Sequence, residues 1–234
     1  MKKKDSVNQS LVAEATSKSV SVSRRNFLGY LGGASALILT VAACKKDDAP
    51  ASNTGVDLGS GDVGVLNYAY ALEQIEAAFY TKVFESVYSG ISASENALLA
   101  DIRDHEVAHR EFFKNALGAN AIPALELDFS TINFGSRDGV LAAAKAFEDL
   151  GVTAYNGAGK LLVSADYLTL AGKIVSVEAR HAAYIRDLIS NGSFADNTAL
   201  DANGLDMART PAEVLAIAGT YVKTKLNATN LPTS

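Results

Sequence analysis

The chain holds only three histidines, and two of them close a Glu-x-x-His run: Glu106-Val107-Ala108-His109 and Glu178-Ala179-Arg180-His181. A further glutamate precedes each run. Glu73 is followed seven residues later by Tyr80, and Glu148 seven residues later by Tyr155. The step from the first glutamate to the second is 33 residues in one half and 30 in the other, so the chain reads as two copies of one unit. On a helix, residues three apart lie on one face. Carboxylate oxygen and imidazole nitrogen together suit iron, manganese or zinc.

The elements that must carry these residues are helical. Trp is absent, Pro is scarce (4), and 48% of residues are apolar, a composition that leans towards helix. Helical spacing of Val65, Leu66, Ala69, Leu72, Phe79, Val83, Phe84 and Val87 predicts a first helix from Asp62 to about Tyr88. Ser92-Ala93-Ser94-Glu95 reads as a capping box opening a second, which stops near Gly118. A longer connection over 119–137 precedes a third helix from about Asp138 to Val163. A fourth runs from about Ala165 to Ser190 and ends at Asn191-Gly192. Thr210-Pro211-Ala212-Glu213 caps a short helix to about Leu226. Two tight turns and one long middle connection predict an all-α fold: two helical hairpins joined by a crossover, over residues 62–191, with a C-terminal extension over 192–234. Gly151, Gly157 and Gly159 lie inside the third helix, each costing about 1 kcal/mol against Ala, so a close neighbour must offset them.

On these helices four glutamates and two histidines fall on the apolar stripes. A buried ionised carboxylate is costly unless it is paired or bound to metal. Lys145 is the nearest candidate cation, whereas two divalent ions would balance four carboxylates. Glu76, one turn from Glu73, is a rival ligand, but it aligns with Gly151 in the repeat and is set aside for Glu73. His105-Glu106-Val107-Ala108-His109 also fits the H-E-x-x-H pattern of a zinc peptidase, with Glu106 as general base. The repeat has Val177 opposite His105, and no further histidine is free to complete a zinc site. His105 is therefore expected beside the site.

One Glu from each of two helices and Glu-x-x-His from each of two others is the set that di-iron and di-manganese carboxylate bundles use. The chain thus resembles the ferritin-like superfamily over residues 62–191, and is similar to its exported bacterial members and to plant desiccation-related proteins. The resemblance implies a ferritin-like four-helix bundle with Glu73, Glu106, His109, Glu148, Glu178 and His181 around two metal ions, iron first and manganese as alternative. Glu106 and either Glu148 or Glu178 would bridge the ions. Tyr80 and Tyr155 match tyrosines hydrogen-bonded behind the ligands. The implied activity is oxidation of the metal pair by dioxygen or peroxide, or metal handling under stress, with a homodimer as one expected assembly. A structural, non-enzymatic role is the alternative.

Residues 1–43 read as an address. Ser23-Arg24-Arg25-Asn26-Phe27-Leu28 resembles a twin-arginine export signal, the apolar stretch Gly29–Ala43 is too short to span a membrane, and Val41-Ala42-Ala43-Cys44 resembles a lipobox with Cys44 as lipid attachment point. Residues 44–61 then read as a flexible tether. These expectations place the domain outside the cytoplasm, held at the membrane by the lipid on Cys44 in the cell envelope, facing the periplasm or the cell surface. Residues 1–43 contain six Lys/Arg and two Asp/Glu, so the remainder has a net charge of −9. A net acidic domain without a basic cluster is a poor partner for nucleic acid.

Overall fold

A computed structural model of the protein describes residues 55–233, all within the unit Lys46–Ser234; the expected export signal, the expected lipid site Cys44 and most of the expected tether lie outside the described residues. Four long helices dominate: α1 (Gly61–Glu85), α2 (Ala93–Leu117), α3 (Arg137–Ala158) and α4 (Ala165–Ile189). Packing is closest between α1 and α2 and between α3 and α4, and α1 meets α3 across the middle. This is the expected pair of hairpins joined by a crossover. Side-chain oxygens of Ser92, Ser136 and Ser164 accept from the first-turn N–H groups of α2, α3 and α4, satisfying donors that a helix start leaves open.

Several expected boundaries move. The first helix ends at Glu85 rather than Tyr88, because Tyr88 is buried and gives its hydroxyl to Glu95. Glu95 therefore does not complete the expected capping box. Its carboxylate takes Tyr88 and the Nε of Arg137, whose Nη2 donates to the Leu188 carbonyl at 2.9 Å. One buried carboxylate thus pins an end of the bundle. The third helix stops at Ala158 and tightens into a 3-10 turn over Gly159–Leu161. Asp62 at the start of α1 then accepts from the N–H groups of Val163 and Ser164, at 2.7 and 2.9 Å. The short helix α5 covers Pro211–Ala218, with a complete capping box at Thr210 and Glu213, and ends well before Leu226.

Leu226–Asn227 forms strand β2, which pairs in parallel with strand β1, Val56–Asp57. The end of the expected tether is consequently part of the fold: Leu58 is fully buried, and Asn67 donates to its carbonyl and to that of Asn120. The crossover is tied down as well, with Phe129 and Phe134 meeting the cluster of Phe79, Phe147 and Tyr221 at centroid distances of 5.8 to 6.3 Å. The extension is held by Arg186, which is 1% exposed and donates to Asp149, Asp196 and Thr198.

Gly157 shows why a good helix carries a poor helix former. A Cβ there would lie 1.7 Å from the carbonyl oxygen of Arg209, in a segment whose own N–H donates to the Thr153 carbonyl at 3.0 Å. The extension crosses α3 backbone to backbone. Helix propensity alone says Gly157→Ala should stabilise by about 1 kcal/mol. Packing predicts the opposite sign, a loss of about 1–3 kcal/mol from overpacking. Chemical denaturation of the variant reads the sign directly, and a gain in stability would refute this packing.

Candidate metal centre

Each long helix sends one glutamate into the middle of the bundle: Glu73 from α1, Glu106 from α2, Glu148 from α3 and Glu178 from α4. All four are 0% exposed. The heptad-like stripes put them there, since each lies among residues that must face the core. Leu72 and Ile75 flank Glu73, Ile102 lies one turn before Glu106, Phe147 and Leu150 flank Glu148, and Ile174 precedes Glu178 by a turn. The Glu-x-x-His spacing brings His109 and His181 to the same level.

The six side chains fall into two overlapping groups. Glu73, Glu106, His109 and Glu178 can each offer one atom to a set lying within 4.8 Å of one another, and so can Glu106, Glu148, Glu178 and His181. His109 Nδ1 stands 2.9 Å from Glu178 Oε1, 3.5 Å from Glu73 Oε2 and 3.6 Å from Glu106 Oε2. His181 Nδ1 stands 2.8 Å from Glu106 Oε1 and 3.4 Å from Glu148 Oε2. Glu106 and Glu178 are common to both groups, and Glu106 turns a different oxygen to each. Despite these short approaches, both Nδ1 atoms, both oxygens of Glu106 and of Glu178, and one oxygen each of Glu73 and Glu148 make no hydrogen bond. They point at shared space rather than along one another's donor directions. Among the described residues no Lys or Arg pairs with any of the four glutamates; Lys145, the candidate cation from the sequence, is engaged with Asp149 at 3.2 Å.

Behind the cluster two tyrosines cross between the hairpins. Tyr80 on α1 donates to Glu148 on α3 at 2.6 Å, and Tyr155 on α3 donates to Glu73 on α1. The two bonds are related by the internal repeat. They occupy one oxygen of each outer carboxylate and leave the other facing the centre.

The electrostatics are those of too much negative charge in too little solvent. Burial, then the charge of Glu106, raises Glu73 to about 7 against the pull of His109 and Tyr155. Burial and neighbouring carboxylates push Glu178 well above the usual carboxylate range, and burial raises Glu148. Burial would raise Glu106 too, but His109 and His181 hold it down at about 2. Burial also opposes charge on the histidines, yet the surrounding carboxylates win. Glu106, Glu178 and Glu73 raise His109 well above its ordinary value, and Glu106 and Glu148 raise His181 to about 10. A site that draws protons this strongly is short of positive charge.

Glu76, set aside on the sequence, sits close against this cluster. It is 3% exposed, one oxygen has no hydrogen bond, and burial together with the charge of Glu178 raises it well above the ordinary range. A Cβ on Gly151 would lie 3.0 Å from Glu76 Oε1 and 3.4 Å from Glu178 Oε2. The repeat thus places a carboxyl in one half and the gap that admits it in the other. The alignment of Glu76 with Gly151 was the available signal, and it marked complementarity rather than irrelevance. His105 falls in neither group of candidate ligands; it is exposed, and its Nδ1 meets the outer Nε2 of His181 at 2.9 Å.

The donor set fits a pair of divalent cations: four carboxylates balance four positive charges, and oxygen with imidazole suits iron or manganese. A family model described as a ferritin-like domain matches residues 61–191, which covers all four long helices and more than half of the chain. No curated protein matches the sequence.

The titrations carry a stability prediction for the metal-free protein. Glu73, Glu76, Glu148 and Glu178 hold protons more tightly folded than unfolded, so their contribution is full below about pH 4.5 and is lost as pH rises through the folded values. His109 and His181 act in the same sense from pH 6.5 upwards, His181 up to about 10. Glu106 acts oppositely, but only between about 2 and 4.5. Chelator-treated protein should therefore melt at a lower temperature near pH 9 than near pH 5.5, and Mn(II) should remove most of that difference. A flat profile without metal would contradict the charge excess described here.

Proposed function

Because the chain belongs to the ferritin-like family, we propose that its central cluster is a dinuclear metal centre, iron in the first instance and manganese as alternative, serving an oxidoreductase or metal-handling role. The observation that carries this reading is the set of four fully buried carboxylates facing two imidazoles with no Lys or Arg among the described residues to balance them. Glu106 and Glu178 belong to both groups and would be shared by the two ions. Glu73 with His109 completes one position, and Glu148 with His181 the other.

Glu73, Glu106, His109, Glu148, Glu178 and His181 would hold two Fe(II) ions, which would supply electrons for the reduction of dioxygen or peroxide. The chain's own residues prepare that chemistry. Tyr80 and Tyr155 hold the outer carboxylates by one oxygen, so each can present the other without rotating. The apolar residues around the cluster exclude water and strengthen every charge interaction inside. Glu76 lies buried beside the centre with one oxygen making no hydrogen bond, and burial and the charge of Glu178 favour its protonated form in the metal-free protein. The position of His105 argues for this reading over a zinc peptidase, since His105 and His109 do not converge on one point.

Export and lipid attachment complete the proposal: a folded, metal-loaded domain would leave by the twin-arginine route and stay at the envelope through Cys44. Among the described residues no helix is long and apolar enough to cross a membrane. Fractionation of cells carrying Arg24→Lys with Arg25→Lys should find the protein retained inside, and Cys44→Ala should release it in soluble form. Membrane localisation unchanged in both would overturn the address.

The centre itself is tested by elemental analysis after loading with Fe(II) or Mn(II). Two ions per chain are expected in the unmodified protein, with most metal lost in Glu106→Ala and in Glu178→Ala alike. Tyr80→Phe and Tyr155→Phe should keep both ions. Zero binding by the folded, unmodified chain would sink the proposal.

A further inference from the structure

We propose that the two metal positions are built to be unequal, with His105 as the positioning residue that makes the Glu148/His181 position the first to fill and leaves the Glu73/His109 position the exchangeable one. This rests on the dinuclear reading above and goes beyond it, because the family pattern and the internal repeat both describe two like halves.

The inference starts from a break in that repeat. Glu106 matches Glu178 and His109 matches His181, but His105 matches Val177. In the structure His105 Nδ1 lies 2.9 Å from His181 Nε2, with the two rings within 7° of parallel. By the same repeat the residue standing in that relation to His109 is Val177, which offers neither a donor nor an acceptor. Burial follows the same asymmetry: the His181 side chain is 6% exposed and that of His109 14%.

The chemistry of imidazole turns this contact into a preference. His181 directs Nδ1 at the carboxylates. To hold a cation there, Nδ1 must carry no proton, so the neutral ring's single proton sits on Nε2. Nε2–H then donates to Nδ1 of His105, whose own proton lies on its Nε2. The hydrogen bond thus selects the metal-binding tautomer of His181, fixes the ring's rotation and makes its Nδ1 a better donor to metal. Partners of this kind are worth about 10–100-fold in metal affinity. His109 faces Glu73, Glu106 and Glu178, and among the described residues no imidazole partner like His105 meets its outer nitrogen. The difference in affinity gives the centre a retained ion and an ion that can leave, which suits metal handling or a pair of two different metals.

The test uses the full chain, stripped of metal and titrated with Co(II). The unmodified protein should bind in two resolved steps. At one equivalent, anomalous diffraction should place the ion at the Glu148/His181 position. His105→Ala should weaken the first step by about 10–100-fold and spread one equivalent over both positions, with the metal-free melting temperature unchanged because His105 is exposed. His105→Asn, which keeps an acceptor near the Nδ1 position, should restore the first step. Val177→His should tighten the second step by supplying the missing partner of His109. In the zinc-loaded protein, long-range proton–nitrogen spectra should show His105 neutral with its proton on Nε2. Equal occupancy of both positions at one equivalent overturns the inference, as does a His105→Ala titration that matches the unmodified protein or weakens both steps alike. Those results leave the dinuclear reading standing, whereas absence of any binding by the unmodified chain removes both.

Discussion

A carboxylate taken out of water costs several kcal/mol unless a cation, a proton or a set of donors replaces the solvent. This chain takes five into one central cluster, counting Glu76. Every other feature of the centre answers that constraint. The tyrosines give two of the carboxylates a donor each, the histidines come within 2.8 to 3.6 Å of the carboxylate oxygens, and Lys145 and Arg186 are engaged with Asp149. What remains is an inward-facing excess of negative charge with oxygen atoms left over, which is a state a protein interior avoids unless something bound there uses it.

The bundle can tolerate such a centre because its ends and its outer surface are closed by unrelated contacts. Glu95 with Tyr88 and Arg137 binds one end, Asp62 binds the turn between α3 and α4 to α1, and Arg186 fastens the extension over the second hairpin. These contacts satisfy polar groups at the periphery and let the core be specified by geometry rather than by a well-packed apolar centre. The extension is therefore no appendage: Val214, Ala218 and Leu231 are buried with the helical core, and β2 pairs with β1 in front of the first helix.

Internal symmetry and its breaches divide the labour. The matched residues, Glu73 with Glu148, Glu106 with Glu178, His109 with His181 and Tyr80 with Tyr155, build the two halves of the buried cluster. The unmatched ones, Glu76 against Gly151 and His105 against Val177, make the halves differ at the places where a second carboxyl or a supporting imidazole changes the chemistry of the centre.

Four helices, their order and the six converging side chains were legible in the sequence because each depends on local periodicity: a stripe of apolar residues sets which face is buried, and Glu-x-x-His puts two ligand types on that face whatever the rest of the chain does. The role of Lys145 was not legible, because which partner a long side chain finds depends on neighbours distant in sequence. The same holds for Gly157, whose missing side chain is explained only by the passage of Arg209, and for Leu226, which leaves a helical pattern to pair with Val56. Which carboxylates belong to both groups of candidate ligands, and that Glu76 reaches the cluster, depend on how the four helices are rotated about one another. Local pattern sets which residues face inwards; only packing across the bundle decides which of them meet.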